Sequence, residues 1–268
     1  MMELLTVPFM RHTLIAGILV ALGLAPLSVY VVLRRIVFVG AAVAEISSAG
    51  VALAVLFQIE PFAVALVLTV LTFLGFSRAA DSPRLPLEAL IGMLYAGGSA
   101  AAVLLIVKAP RGEGEILNVL FGNILTVPVP LLWAMVATFA IVGALQYFAS
   151  KEFLISAYDP DMARALGINV NLWNTIFYVA LGFAVAIAIR GVGALLTFTL
   201  LVAPGAAALC FVRGLDSAFV VATAMGLIAT VAGVFASYWL DFPTGPAIVS
   251  ILAAIFALSY GYAAIRGS

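Results

Sequence analysis

The sequence predicts an all-α fold, a polytopic bundle of about eight or nine transmembrane helices carrying a short cytoplasmic helix and a re-entrant segment. Three observations predict it. Of the 268 residues, 66% are hydrophobic and 9% are charged, where a soluble domain averages about 45–50% and about 25%. Mean hydropathy is +1.28. The apolar residues also fall into runs of roughly twenty, the length a helix needs to cross the hydrocarbon core. A water-soluble core of this size cannot hide so much apolar surface, so lipid is the solvent for most of the chain.

Breaks at charges, glycines and prolines delimit the spans in order. The first runs over His12–Leu33 and ends at the Arg34–Arg35 turn. The second, Phe38–Phe57, carries Glu45 near its middle. Pro61–Phe76 is short. Pro86–Val107 and Pro128–Ala149 follow. Trp173–Ile189 is again short, and Val192–Val212 contains Pro204. Ser217–Leu240 and Pro243–Ile265 complete the set. The two short spans are expected to be partly sunk into the bundle. Residues 1–268 read as a single transmembrane domain, with no linker or short internal repeat. The first ten residues lack the basic start of a cleavable signal, and the first apolar run is long enough to span.

Charge sets the orientation. Net charge is zero, which points to neither nucleic acid nor an acidic partner. With the Arg34–Arg35 turn placed inside, Arg78, Arg84, Lys151, Arg164, Arg213 and Arg266 fall on the same side. Arg11, Lys108, Arg111 and Arg190 fall outside. Lys and Arg favour cytoplasmic loops, so the N-terminus is expected outside and the C-terminus in the cytoplasm. The lone Cys210 lies in an apolar run and has no intrachain disulfide partner.

Two connections are long enough to hold structure. In the outer one, Lys108–Pro130, the apolar stretch "LFGNILTV" is too short to span and is broken by Pro128 and Pro130. It reads as a re-entrant or interfacial helix. In the inner one, "YDPDMARALGI" has the outline of a complete small helix. Asp159 is a good N-cap, and Pro160 fits the first helical position. Asp161 adds negative charge to the first turn, and Gly167 supplies the stop. So short a helix is marginal alone in water. It either lies on its own membrane domain or docks on a cytoplasmic protein. Ala163, Ala165 and Leu166 are expected to form a small smooth surface, with Met162 and Arg164 reaching outward.

Glu45 is the most informative single residue. An acidic side chain at the centre of a span costs about 2.5–3.5 kcal/mol on insertion scales. Around it, Ala41, Ala44, Ser48 and Ala52 recur at spacings of three and four, a pattern that suits close helix contact. Elsewhere the polar residues read blandly. Thr197 and Thr199 are expected to bond back to their own helix carbonyls, and Pro204 to kink its helix in a way that matters for gating.

Several stretches occur in a characteristic order. The start "VPFMRHTLIAGILVALGLAPLSVYVVLRRIVFVG" is followed by "GAAVAEISSAGVAL", "EALIGMLYAGG" and "LFGNILTV". Then come Asp159, Ala163, Gly167 and Ile168, and finally "GVGALLTFTLLVAPGAAA". In these the chain resembles the membrane permease subunits of ATP-binding-cassette importers for zinc, manganese and iron. The resemblance implies a homodimer of permeases around a central path, an ATPase dimer on the cytoplasmic side and an extracytoplasmic substrate-binding protein. It also implies a multi-pass location in the cytoplasmic membrane of a prokaryote. The cargo would be a divalent transition metal ion, with no permanently bound cofactor. Asp159, Pro160, Asp161, Ala163, Arg164, Leu166 and Gly167 would form the coupling helix. No G-x-x-x-x-G-K-[ST] occurs, so ATP hydrolysis is expected in the partner and the chain itself is not an enzyme.

The resemblance also marks a departure. Glu45 stands where the family pattern has His, Ala41 where it has Asp, and Ala49 where it has Pro. One carboxylate per subunit is a sparse site for Zn²⁺ or Mn²⁺. Three readings stay open. A pair of Glu45 side chains could form a weak cation site across the dimer axis with water and Ser48. Glu45 could act as a gate. It could also be a protonated or serine-bonded structural residue. Two other functions compete: a permease of the same mechanism for a metal chelate or cobalamin-type cargo, and an ion-coupled secondary transporter using Glu45. An intramembrane enzyme is disfavoured, since the chain has one His and no paired nucleophile and base.

Overall fold

A computed structural model describes residues 8–79, 86–108 and 127–266. Among them the chain is helical without strands. The long helices are α1 (Pro8–Leu33), α2 (Val39–Phe57), α3 (Pro61–Ala79), α4 (Leu87–Ile106) and α5 (Val129–Phe148). Two short ones follow, α6 (Ser150–Tyr158) and α7 (Pro160–Ala165). The rest are α8 (Val170–Val192), α9 (Ala194–Phe211), α10 (Leu215–Leu240) and α11 (Thr244–Arg266). Among the described residues, nine helices are long and apolar enough to cross a membrane. Most of the expected re-entrant segment, residues 120–126, lies outside the described residues, as do Arg84 and Arg111.

Spans three and six are longer than their apolar runs suggest. The physical reason is polar pairing where the end of α3 meets the start of α8. Ser77, in the last turn of α3, shares a 2.8 Å hydrogen bond with Thr175 of α8. Asn169 caps α8, its side-chain oxygen accepting from the Leu172 N–H at 3.1 Å. These polar turns lower the local hydropathy yet continue the helix. At the other end Glu60 caps α3, accepting from the Ala63 N–H at 2.6 Å. Helix α6 was not expected as a separate element.

α1 and α8 hold the middle of the bundle. α1 packs on α5, α9 and α10, and α8 on α3 and α5, while α11 closes over α9 and α10. α4 sits at the edge and packs chiefly on α2. An aromatic cluster fills one end of the core. The Tyr30 ring lies 4.9 Å from Phe219, 5.8 Å from Phe177 and 6.1 Å from Phe153. Phe73, Phe76 and Tyr178 extend it, all almost wholly buried.

The crossing of α1 and α9 is a very close approach toward the C-terminal ends of both helices. A Cβ on Gly205 would stand 2.5 Å from the Ser28 carbonyl carbon and 2.6 Å from its oxygen. Both helices carry an internal proline there, Pro26 and Pro204. Without a hydrophobic force between helices in lipid, such close approach of backbones supplies much of the packing energy. Gly205→Ala is therefore expected to destabilise the protein by about 1–3 kcal/mol through overpacking. Thermal unfolding in detergent checks this. Gly143→Ala, whose Cβ would meet nothing within 4 Å, should leave the transition in place.

Alternation of the spans gathers the Arg34 turn, α6, α7 and the end of α11 at one face of the bundle. The opposite face carries Glu60 and Arg190, paired at 3.8 Å, with the Arg190 guanidinium 3.9 Å over the Phe62 ring. Ala44, Ser48 and Ala52 are buried inside the bundle, so the small-residue pattern on α2 serves packing within one subunit.

Candidate functional site

Glu45 lies in the second turn of α2. Most of that helix is buried, but Ala41, Glu45, Ile46, Leu53, Val55 and Leu56 are half-buried. Ala41 and Glu45, one turn apart, make a short partly open stripe. Glu45 is held there from behind. A Cβ on Gly98 of α4 would lie 3.0 Å from the Ile46 nitrogen and 3.1 Å from the Glu45 carbonyl carbon. The missing side chain at Gly98 gives α4 its close approach to the α2 backbone. Among the described residues no hydrogen bond or ion pair engages the Glu45 carboxylate.

Ser48 does not join it. Its side chain is 1% exposed, and its hydroxyl donates to the Ala44 carbonyl at 2.9 Å. The serine-bonded reading of Glu45 therefore has no hydrogen bond behind it. Thr197 and Thr199 bond back in the same way, to the Gly193 and Leu195 carbonyls at 2.7 and 2.9 Å. Among the described residues no cluster of three or more His, Cys, Asp or Glu could hold a metal. Any cation at Glu45 thus relies on one carboxylate of this chain plus ligands from elsewhere. A cleft of about 270 Å³ lies at the Glu60–Arg190 face, lined by Ser47, Val51, Phe62 and Ala186 among others. Ser47 is two residues from Glu45, about 200° around the helix, so this cleft opens on the other side of α2.

Pro204 is buried inside α9, where a Cβ on Gly226 of α10 would lie 3.7 Å from its ring. Proline removes the donor that the Leu200 carbonyl would otherwise receive. The helix continues through it from Ala194 to Phe211.

The small helix α7 closes at both ends. Asp159 Oδ1 accepts from the Met162 N–H at 2.9 Å, and Pro160 occupies the first position. At the far end Gly167 has φ +79°. The Gly167 N–H donates to the Arg164 carbonyl and the Ile168 N–H to the Ala163 carbonyl, both at 3.0 Å. These two bonds are the Schellman pattern. Arg164 pairs with Asp161 at 2.7 Å across one turn, on the solvent side. The expectation for Ala163 needs correction. It is 0% exposed and faces inward, where α7 rests on α6 and α8. A methyl is what the narrow gap admits. The outward surface is made instead by Tyr158, Met162 and Leu166, at 82%, 56% and 60% exposure, with Ala165 beside them.

Three contributors escaped the sequence reading. Gly98 gave its only hint in the "AGG" of α4. Asn174 and Phe153 gave none, because their contacts with Arg34 join positions 140 and 119 apart in the sequence.

Among the described residues, nine helices long and apolar enough to span, an unpartnered carboxylate in the second turn of α2 and a capped helix with an apolar outer surface at one end describe a polytopic α-helical membrane protein. The model of the ABC 3 transport family matches residues 6–263, and the chain belongs to that family. It is 27% identical over 266 residues to the manganese transport system membrane protein MntC of Halalkalibacterium halodurans, covering 99% of this chain and 91% of that one. It is 26% identical over 247 residues to the high-affinity zinc uptake system membrane protein ZnuB of Haemophilus influenzae, covering 92% and 94%. Among solved structures it resembles PsaBC from Streptococcus pneumoniae in complex with Fab, with a TM-score of 0.82 at 26% identity, covering 96% of this chain and 92% of that one.

Proposed function

We propose that the protein is the permease subunit of an ATP-binding-cassette importer that carries a divalent transition metal ion across the cytoplasmic membrane of a prokaryote. The observation that carries this reading is α7. Tyr158, Met162 and Leu166 stand exposed at the end of the bundle, and such an apolar patch marks a surface that a partner protein or the membrane covers. The Asp161–Arg164 pair on the solvent side of α7 favours the protein. The chain has no phosphate-binding loop of its own. A cytoplasmic ATPase dimer is the partner that a rigid, doubly capped helix suits.

The cargo follows from the relatives named for manganese and zinc. Two copies of the chain bring two Glu45 stripes to a shared path, and a binding protein loads it from the Glu60–Arg190 face. A single carboxylate from each subunit makes a weak oxygen site in which the ion keeps several waters. Weak holding favours release to the cytoplasm. Asp159, Pro160, Asp161, Arg164, Leu166 and Gly167 form the docking helix, with Ala163 seating it, and Pro204 supplies the bend used in gating. A chelated metal is the second reading. Ala41 in place of a second ligand leaves room for a cargo that brings its own donors.

The test is uptake by proteoliposomes holding the permease, its ATPase and its binding protein. ATP-dependent uptake of Mn²⁺ or Zn²⁺ is the expected result. Uptake of a cobalamin-type chelate with neither free ion transported selects the second reading. Full activity from an ion gradient with no ATPase present overturns both.

A further inference from the structure

We propose that Arg34 is a clamp that ties the docking helix to the transmembrane core, so that movement of α7 reaches α1 and α8 as one body. This rests on the reading of α7 as the ATPase-docking element.

The backbone first fixes where Arg34 stands. α1 ends in a second Schellman pattern. The Arg35 N–H donates to the Val32 carbonyl at 3.0 Å and the Ile36 N–H to the Val31 carbonyl at 3.1 Å. Arg35 has φ +58° at the position usually given to glycine. Arg34 is thereby turned back under the bundle, toward α6 and α8. Its Nη1 donates to Asn174 Oδ1 at 2.7 Å and its Nη2 to the Phe153 carbonyl at 3.4 Å. The guanidinium lies 4.2 Å from the Phe177 ring centre and 5.8 Å from that of Tyr178. Asn174 is 5% exposed and Phe153 1%. A planar group with forked donors and a stackable face suits three simultaneous contacts, which a lysine ammonium cannot reproduce.

The connection onward to α7 is short and stiff. Phe153 sits in α6, and α6 ends at Tyr158. Asp159 then serves both helices: its N–H donates to the Ile155 carbonyl at 2.9 Å, closing α6, while its carboxylate caps α7. One residue separates the two helices, so α7 cannot shift without α6. Phe153 is wedged between Trp173, Phe177 and Tyr30, with ring centres 5.7, 5.6 and 6.1 Å away. On the other side, α8 runs about 24 Å from Asn174 to Arg190, which meets Glu60 at the far face. The clamp therefore stands at the junction where a push on α7 enters a continuous helix through the bundle.

The experiment uses the full complex of permease, ATPase and binding protein in proteoliposomes, with Mn²⁺ as the transported probe. It reads ions moved per ATP hydrolysed. Arg34→Gln and Asn174→Leu should each co-purify with the ATPase at wild-type yield and lower this ratio by about fivefold, the scale on which single residues modulate coupling. The double variant should fall no further than Arg34→Gln alone, which already removes the Asn174 bond along with the contacts to Phe153 and Phe177. Arg34→Lys should stay below wild type. An unchanged ratio in either single variant, or singles that add, overturns the clamp. If Arg34→Gln does not assemble, Asn174→Leu alone decides by the same ratio. A separate arm places Ala165→Cys in a Cys210→Ser background and crosslinks it to the ATPase. No crosslink overturns the docking reading and the clamp with it. A crosslink with an unchanged ratio overturns the clamp alone.

Discussion

Glu45→Ala should abolish metal uptake by the reconstituted transporter while leaving ATPase association intact. A carboxylate within a span is penalised by about 2.5–3.5 kcal/mol on insertion scales, and among the described residues nothing pairs with this one. Removing it should therefore hold or raise the melting temperature in detergent. A residue whose loss costs no stability but eliminates transport has a functional reason for its place. Changes in groups that merely support a metal ligand lower affinity by about 10–100-fold, so loss of the chain's one candidate ligand at this position should lower uptake by at least about 100-fold. Uptake of Mn²⁺ and Zn²⁺ at wild-type rates, with the variant properly assembled, would falsify the assignment. Glu45→Gln separates charge from shape. It keeps the side-chain volume against Gly98 and should transport as poorly as the alanine variant.

The second large effect belongs to Gly167→Val. At φ +79° a β-carbon crowds the following carbonyl, at about 1–2 kcal/mol for an ordinary residue and more for a β-branched one. Relief of that strain requires giving up the two 3.0 Å bonds that close α7. A helix of six residues has little to spare. The apolar surface of Met162 and Leu166 then loses its fixed shape. Cargo-stimulated ATP hydrolysis should fall to the basal rate and metal uptake should fall with it, while the permease stays folded, because a Cβ at Gly167 meets nothing within 4 Å. Gly167→Asn, which tolerates the left-handed region, should retain most activity. Wild-type stimulation in the valine variant would remove α7 from the coupling path.

Much of this molecule is readable from sequence because lipid simplifies the rules. Each span must satisfy its own backbone hydrogen bonds, so runs of apolar residues translate directly into helices. The ends of α7 were equally legible. Asp159, Pro160 and Gly167 act through contacts within three or four positions, and local chemistry is what a sequence displays. Where polar residues continued a helix, the reading fell short. α3 runs on through Ser77 because Thr175 of α8 pairs with it, and α8 starts early because Asn169 caps it. Hydropathy is blind to both.

Ala163 shows the boundary most sharply. Its place on α7 is given by the helix, but the direction in which it faces depends on where α6 and α8 stand. The same holds for Arg34, which a sequence reading counts as one basic residue among twelve. Only the folded chain brings its guanidinium to Asn174 and Phe153.

The sequence by itself determined the solvent, the order and approximate number of the spans, the stops of α7 and the presence of Glu45 well inside a span. Tertiary structure alone decided that Glu45 is half-buried, that Ser48 turns to its own helix, and that Arg34 meets Asn174 of α8 and Phe153 of α6. The division has one physical cause. Helix formation and insertion into lipid depend on neighbours along the chain, whereas the side a residue faces is fixed by close packing between helices, and that packing joins residues far apart in the chain.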